Sequence, residues 1–403
     1  MKTYGFFILI ILFCNINKSL AQAPEQSFKI SGVLKSSNDN TTIPFAHIVV
    51  SGKSMGSTTN SEGEYQIIIP ESYKDDSLLF RAIGFVSKKI PIKFIPKEIY
   101  LKDTTYQLDN LTIETLSANA IFNKSISNLT ANNHVEHSTK LEGFYRTAFK
   151  ENKKFVRLFE AAVELYKENN YLQPKIIRAR KSNDYRTYKW HESSNYLNSF
   201  LASDIILNPN SVLKRLKGFW KVKFEDALII DQEELYKIKI LLPVDSSKEK
   251  YDIHLYINSE DYSVKRAEYT FKWNPDHFEG EVIDSTTNIN RTKVEVISTY
   301  RKYKGVSYLN YQSRHANWII KDSDKEIGHL ELHDELLVYN ISTTENNLKL
   351  GNQIVGDIYA RSGKYDKNFW QNYNKPINTK LYLSIIADLE KFENIEKQFK
   401  SNN

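Results

Sequence analysis

The chain has 403 residues, enough for two or three domains that each bury a core of their own. Aromatic residues make up 13% of it against only 14 Gly and 10 Pro, which favours extended strands and excludes low-complexity or collagen-like character. The formal charge of +6 is spread over interspersed acids and bases without basic blocks, so no nucleic-acid partner is expected.

Lys2, the apolar run Phe6-Phe7-Ile8-Leu9-Ile10-Ile11-Leu12-Phe13 and the small-x-small Ser19-Leu20-Ala21 before Gln22 read as a secretory signal peptide over residues 1–21. The run is too short to span a bilayer, and no later segment reaches the ~20 apolar residues that spanning takes. An exported protein without a membrane span is the expectation. The only cysteine, Cys14, follows Leu12-Phe13 where a lipobox has small residues, so a lipid anchor through Cys14 is not expected. Cleavage then removes the only thiol, and with it any disulfide or thiolate metal site.

From Phe28 to about Ile113 the pattern is that of a sandwich of roughly seven strands. Phe28 to Leu34 alternates with period two. Ile43-Pro44-Phe45-Ala46 leads into the apolar run His47 to Val50, and Gly56-Ser57-Thr58-Thr59 follows. Asn60-Ser61-Glu62-Gly63 is a polar turn in which Gly63 can take a positive φ, and Tyr65 to Ile69 returns from it. Ser77 to Ile83 ends in Gly84-Phe85, and runs 85–90, 98–101 and 108–113 complete the unit.

This order resembles the carboxypeptidase-like regulatory domain, a transthyretin-like β-sandwich common in envelope proteins of Bacteroidota. Pro44, Gly56, Thr58, Gly63, Tyr65, Gly84 and Phe85 carry the likeness, and residues 27–114 are its expected extent. The resemblance implies a non-catalytic module at the periplasmic side of an outer membrane. The same sandwich often extends TonB-dependent transporters, which implies envelope proteins or outer-membrane transport machinery as partners, docked by strand addition at a sheet edge. The chain is too short to hold a transporter's plug and barrel as well.

Apolar residues at 118, 121, 122, 126 and 129 form a helical stripe, so residues 115–132 are expected to hold a linking helix. Residues 140–345 read as an antiparallel β domain. Runs 220–224, 235–242 and 251–257 alternate, and Tyr251 to Ile257 meets Tyr262 to Trp273 across the four-residue turn Asn258-Ser259-Glu260-Asp261. The run 154–166 mixes helix and strand formers and fits either. Gly143-Phe144-Tyr145-Arg146, Tyr300 to Gly305 and Tyr365 to Asn374 are similar to an uncharacterised β-rich region that accompanies the regulatory module in Bacteroidota. The hairpin at 258 is also similar to those of lipoprotein-carrier half-barrels. In the tail, 346–403, Asn378-Thr379 can cap a last helix with Tyr382, Ile385, Ile386, Leu389, Phe392 and Phe399 on its apolar face.

A zinc peptidase would need two His and a carboxylate around an open metal position, with a Glu as base. The nine His contain no His-Glu-x-x-His, and no catalytic residue or cofactor is expected. The best metal candidates are His329, Glu331, His333 and Glu335, which share one face of a strand. Alternate strand residues lie about 7 Å apart, so a single ion needs help from another strand, and the competing reading is a solvated strand face. His134 and His137 sit in a polar connection, and Ser51-Gly52-Lys53-Ser54 is a turn rather than a phosphate loop, since His47 stands where the loop's first Gly is required. Trp190, Trp220, Trp273, Trp318 and Trp370 could stack on sugars, although aromatic side chains serve interiors first.

The sequence thus points to a mainly β, exported, non-catalytic binding or scaffolding protein. One alternative is a carrier of a lipid or other hydrophobic ligand, which requires an apolar concavity in the β domain. Another is a hydrolase with an unrecognised site, which requires carboxylates or His clustered in a cleft.

Overall fold

The computed structural model describes residues 26–104, 117–131, 138–168, 171–188, 196–208, 220–230, 233–242, 245, 247–277, 281–282, 284–323, 325–344 and 365–401. The expected signal peptide, Cys14, the closing run 108–113, His134, His137 and Trp190 lie outside the described residues.

Seven strands build the N-terminal sandwich: β1 (Ser27–Ser36), β2 (His47–Val50), β3 (Gly56–Thr58), β4 (Glu64–Pro70), β5 (Ser77–Arg81), β6 (Lys88–Pro91) and β7 (Glu98–Leu101). One sheet has the order β4-β1-β7 and the other β3-β2-β5-β6. Leu34, Ile48, Tyr65, Ile67, Phe80 and Ile99 are buried between them, with Tyr65 edge-on to Phe80 at 5.5 Å. The turn before β4 forms as its residues demand. Asn60 Oδ1 accepts from the amides of Glu62 and Glu64, and Gly63 takes φ +73°. The strand expected at 85–90 is shorter than its pattern: Gly84 turns with φ +84° and Phe85 bridges to Asp103, leaving β6 to begin at Lys88.

Strands β8 (Ser138–Glu151), β9 (Lys154–Glu168), β10 (Tyr171–Lys181), β11 (Lys221–Ile230), β12 (Glu233–Leu241), β13 (Glu249–Asn258), β14 (Val264–Trp273), β15 (Glu281–Val282), β16 (Thr287–Tyr303), β17 (Val306–Asp322) and β18 (Lys325–Thr344) form one sheet, antiparallel throughout. Its order is β10-β9-β8-β18-β17-β16-β14-β13-β12-β11, with β15 on β16. The ambiguous run 154–166 is strand β9. Both of its faces are covered, so Phe155 to Val163 is buried without interruption and the period of two disappears from the sequence. The hairpin at 258 is longer than four residues. Asn258 Oδ1 accepts from the amides of Glu260 and Asp261, Tyr262 takes φ +55°, and β14 starts only at Val264.

Helices α1 (Ala118–Ala131) and α2 (Tyr196–Ala202) cover one face of the large sheet, where Phe122 and Phe200 join Tyr145, Leu255 and Leu336 in the core. The opposite face carries α3 (Lys367–Asn372), α4 (Lys380–Glu390) and α5 (Ile395–Ser401). The single expected last helix is therefore broken. Thr379 caps α4 as its type allows, accepting from the Tyr382 amide at 2.9 Å. The chain then turns back, and Gln398 donates to the carbonyls of Leu389 and Glu393, which satisfies the end of α4. Phe392, expected on the buried face, is half exposed and stacks on Tyr185 at 4.0 Å.

Beneath these helices lies a buried ion triad. Glu160, with no exposed surface, accepts from Arg146 Nε at 2.8 Å and from Arg180 Nε at 2.6 Å. Arg146 stacks on Tyr382 at 4.1 Å and Arg180 on Trp370 at 4.6 Å. Burial by itself would raise the Glu160 carboxyl, yet Arg180 and Arg146 hold it at about 2.

The sandwich docks on the large sheet and on the C-terminal segment. Asn310 Nδ2 donates to Thr58 Oγ1 at 2.7 Å, Ser54 Oγ to Asn340 Oδ1 at 2.7 Å, and the Lys380 amide to Glu62 Oε1 at 3.1 Å. Asn374 presents its side-chain amide to β4 as a neighbouring strand would. It accepts from the Ile68 amide at 2.7 Å and donates to the Ile68 carbonyl at 3.0 Å. One sandwich edge expected to receive a partner strand is thus engaged by the chain itself.

Candidate functional site

Between the sandwich and the large sheet lies a cleft of about 300 Å³. The sheet contributes Lys265 and Arg266 at the start of β14 and Arg301 and Lys302 near the end of β16, and Arg266 pairs with Thr299, where the β16–β17 ladder has a β-bulge at Thr299/Tyr300. The extra residue of a bulge re-aims the side chains beside it. Tyr300 turns to the helix-covered core and donates to Asp204 Oδ1 at 2.6 Å, while Arg301 reaches the sandwich, its Nη1 passing over Gly56. A Cβ at Gly56 would lie 2.6 Å from that nitrogen and 2.7 Å from the Ile48 carbonyl, so only glycine fits. The sandwich supplies Pro44, Phe45, His47, Lys53 and Arg81. Phe45 adopts φ +56°, a conformation a bulky residue rarely takes, and this seats its ring 5.6 Å from Tyr311 and beneath the Arg266 guanidinium at 5.3 Å.

The cleft is strongly cationic. Lys53, Arg81, Lys265, Arg266, Arg301 and Lys302 line it, and Glu233 is its one acid among the lining residues. Lys265 pairs with Glu233 at 2.8 Å, Arg266 with Glu268, and Lys302 with Asp261. Arg301 differs. It is 6% exposed, and its Nε and Nη2 find no hydrogen-bond partner among the described residues. Burial pushes its guanidinium down to about 10, with no carboxylate to oppose it. A buried guanidinium with idle donors is costly to keep, and an oxyanion would satisfy it.

His47 lies in the same cleft, paired across the sheet with Thr58 and Arg81. Burial and then the charges of Arg301, Arg81, Lys265 and Arg266 push its imidazole from 6.5 down to about 3, so it is neutral at pH 7. Between those values the unfolded chain takes up a proton that the folded chain refuses. Stability is therefore full above about pH 6.5 and falls as the pH drops towards 3. His47→Gln is expected to flatten this slope. Melting temperatures of the two proteins from about pH 7 to pH 4 test it, and parallel curves would count against it.

The four sequence candidates for a metal do not meet at one point. His329 is exposed and pairs with Glu326, and Glu335 is drawn to Arg146 Nη1 at 2.5 Å. Glu331 and His333 stay together and are joined by His315 from β17, which the sequence reading did not include. Asp334, on the opposite face, is fully buried against Arg314 and Tyr145. Trp370 is core, while Trp220, Trp273 and Trp318 flank the helix-covered face. There a second cavity of about 380 Å³ is lined by Tyr269, Phe271, Trp273 and Trp318 together with Arg291 and Arg314. It is aromatic and charged rather than uniformly apolar. The basic cleft itself was missed in sequence, although Lys265-Arg266 and Arg301-Lys302, two basic pairs on adjoining strands, were a usable signal.

Residues 30–114 match the model of the CarboxypepD_reg-like domain, so the sandwich is a domain of that kind. The TonB-dependent receptor P3 of Formosa agariphila is 33% identical over 72 residues, 18% of this chain and 7% of the receptor. The chain thus spans a small part of that relative's length. Among solved structures, a LolA superfamily protein from Nitrosomonas europaea is similar at 11% identity and a TM-score of 0.20, over 56% of this chain and 94% of that one. A DUF1329 family protein from Desulfovibrio piger is similar at 9% identity and a TM-score of 0.23, over 55% and 92%. Likenesses at these scores carry no argument about function. No described helix is long and apolar enough to cross a membrane.

Proposed function

We propose that the protein is a non-catalytic binding protein of the cell envelope that takes a compact anionic ligand between its sandwich and its large sheet. Arg301 carries this reading: a buried guanidinium with two idle donors in a cleft that has room for a ligand. The ligand class is an oxyanion such as phosphate, sulfate or carboxylate, alone or as the charged end of a larger molecule. Neutral His47 adds a group that can accept a proton as the anion binds. The envelope address is part of the proposal and rests on the N-terminal pattern and on the domain shared with a TonB-dependent receptor.

The test is thermal unfolding and calorimetric titration with inorganic phosphate, sulfate and a dicarboxylate, each against sodium chloride of equal ionic strength. A ligand that binds only the folded state raises the melting temperature with its concentration. Saturable stabilisation by one of the oxyanions, at one per chain, is the expected result. A response no larger than that to chloride overturns the reading.

The aromatic cavity on the helix-covered face supports a second reading, carriage of an amphiphile. Arg291 lies 5.4 Å from the Trp318 ring and 6.0 Å from that of Trp273, a charged group among apolar walls. Such a ligand would bind independently of Arg301.

A further inference from the structure

We infer that the large sheet carries a transition-metal site made by His315, Glu331 and His333, on the face opposite α1 and α2. His315 in β17 and His333 in β18 are directly paired across the ladder. Glu331 stands two residues before His333 and so shares its face. The two imidazoles stack at 4.2 Å with 17° between their planes. Glu331 Oε2 is 3.3 Å from His315 Nε2 and 3.3 Å from His333 Nε2. One ligand atom from each of the three residues lies within 4.8 Å of the others, which leaves a point that bonds of about 2.0–2.2 Å can reach.

The surroundings fit a ligand set better than a chance surface cluster. The other imidazole nitrogen of His315, Nδ1, faces Glu295 Oε2 at 3.5 Å, and Lys293 holds Glu295 at 2.7 Å. A carboxylate behind a histidine fixes which nitrogen is free to bind a metal. Lys150 takes the second oxygen of Glu331 at 3.2 Å and leaves Oε2 to the histidines. Phe155 packs on His333 at 5.7 Å. All three residues are half-buried, which leaves a fourth position open to water.

Two imidazoles and one carboxylate, without thiolate, select a borderline divalent ion such as Zn²⁺, Cu²⁺ or Ni²⁺ over Ca²⁺ or Mg²⁺. The test is calorimetric titration of the untagged, chelator-treated chain with Zn²⁺, paired with electron paramagnetic resonance of the Cu²⁺ form. One equivalent is expected to bind, with two imidazole nitrogens coupled to copper. Glu295→Gln is expected to weaken Zn²⁺ about tenfold, the size of an outer-shell effect. His315→Ala and His333→Ala are expected to weaken it further and each remove one coupled nitrogen. His315→Asn serves where the alanine variant folds poorly, and His329→Ala is expected to bind as the wild type does. Equal Zn²⁺ affinity in the wild type and the His315→Ala/His333→Ala double variant, or an unchanged nitrogen count, overturns the site.

Discussion

Glu160→Gln is expected to destabilise the folded protein by about 3–5 kcal/mol, the usual effect of removing one member of a buried ion network. The substitution keeps the shape of the side chain, removes its charge and leaves one acceptor oxygen where Arg146 and Arg180 now share two. Arg146 retains Glu335 as a partner, whereas Arg180, under Trp370 and Phe399, loses the carboxylate it is hydrogen-bonded to. The same carboxylate gives acid sensitivity. Its folded value of about 2 lies below the ordinary 4.5, so its contribution is full above pH 4.5 and is lost as the pH falls through 2. Chemical unfolding of the wild type, Glu160→Gln, Arg180→Gln and the double variant measures the coupling. The double variant is expected to recover part of the loss, because it no longer buries an unmatched guanidinium. A single variant within 1 kcal/mol of wild type would show that water already reaches the triad, by the size usual for surface substitutions of about 0.5 kcal/mol.

Arg301→Met is expected to act in two opposite directions. Oxyanion affinity should fall about 10- to 100-fold, because hydrogen bonds to a charged group contribute about 1.5–3 kcal/mol. The empty protein should become more stable, since methionine fills a similar volume without burying a charge that nothing answers. Opposite signs are diagnostic. A guanidinium held for the fold alone would lose stability on replacement, and a surface cation would change neither quantity. Melting temperature with and without phosphate or sulfate reads both effects on one instrument. An amphiphile held by the aromatic cavity would still stabilise the Arg301→Met protein, which separates that reading from the cleft.

Local chemistry made parts of this fold legible in the sequence. The Asn60–Gly63 turn is set by a side chain that bonds its own backbone and by a residue free to take positive φ, so neighbours alone decide it. Thr379 as a cap is local in the same sense. Strand β9 was ambiguous because burial on both faces erases alternation, and the break after α4 depends on Gln398 returning to Leu389. The sites were harder still. His315 enters only through the register of β17 on β18, and Arg301 meets Gly56 and His47 from strands more than two hundred positions away. Spacing along one strand implied that a metal there needs a second strand. It could not say which one, and it drew in His329 and Glu335, which have partners of their own.

Hydrogen bonds at Thr58 and Ser54 bind the sandwich to the sheet, and those at Ile68 and Glu62 bind it to the C-terminal segment. On the proposed function, a cleft held in this way would act as a gauge rather than a grip. Its selectivity then follows the radius and geometry of the guest, with little ordering entropy lost on capture. Small halides would rattle in such an aperture, while a polyatomic oxyanion could reach both walls at once.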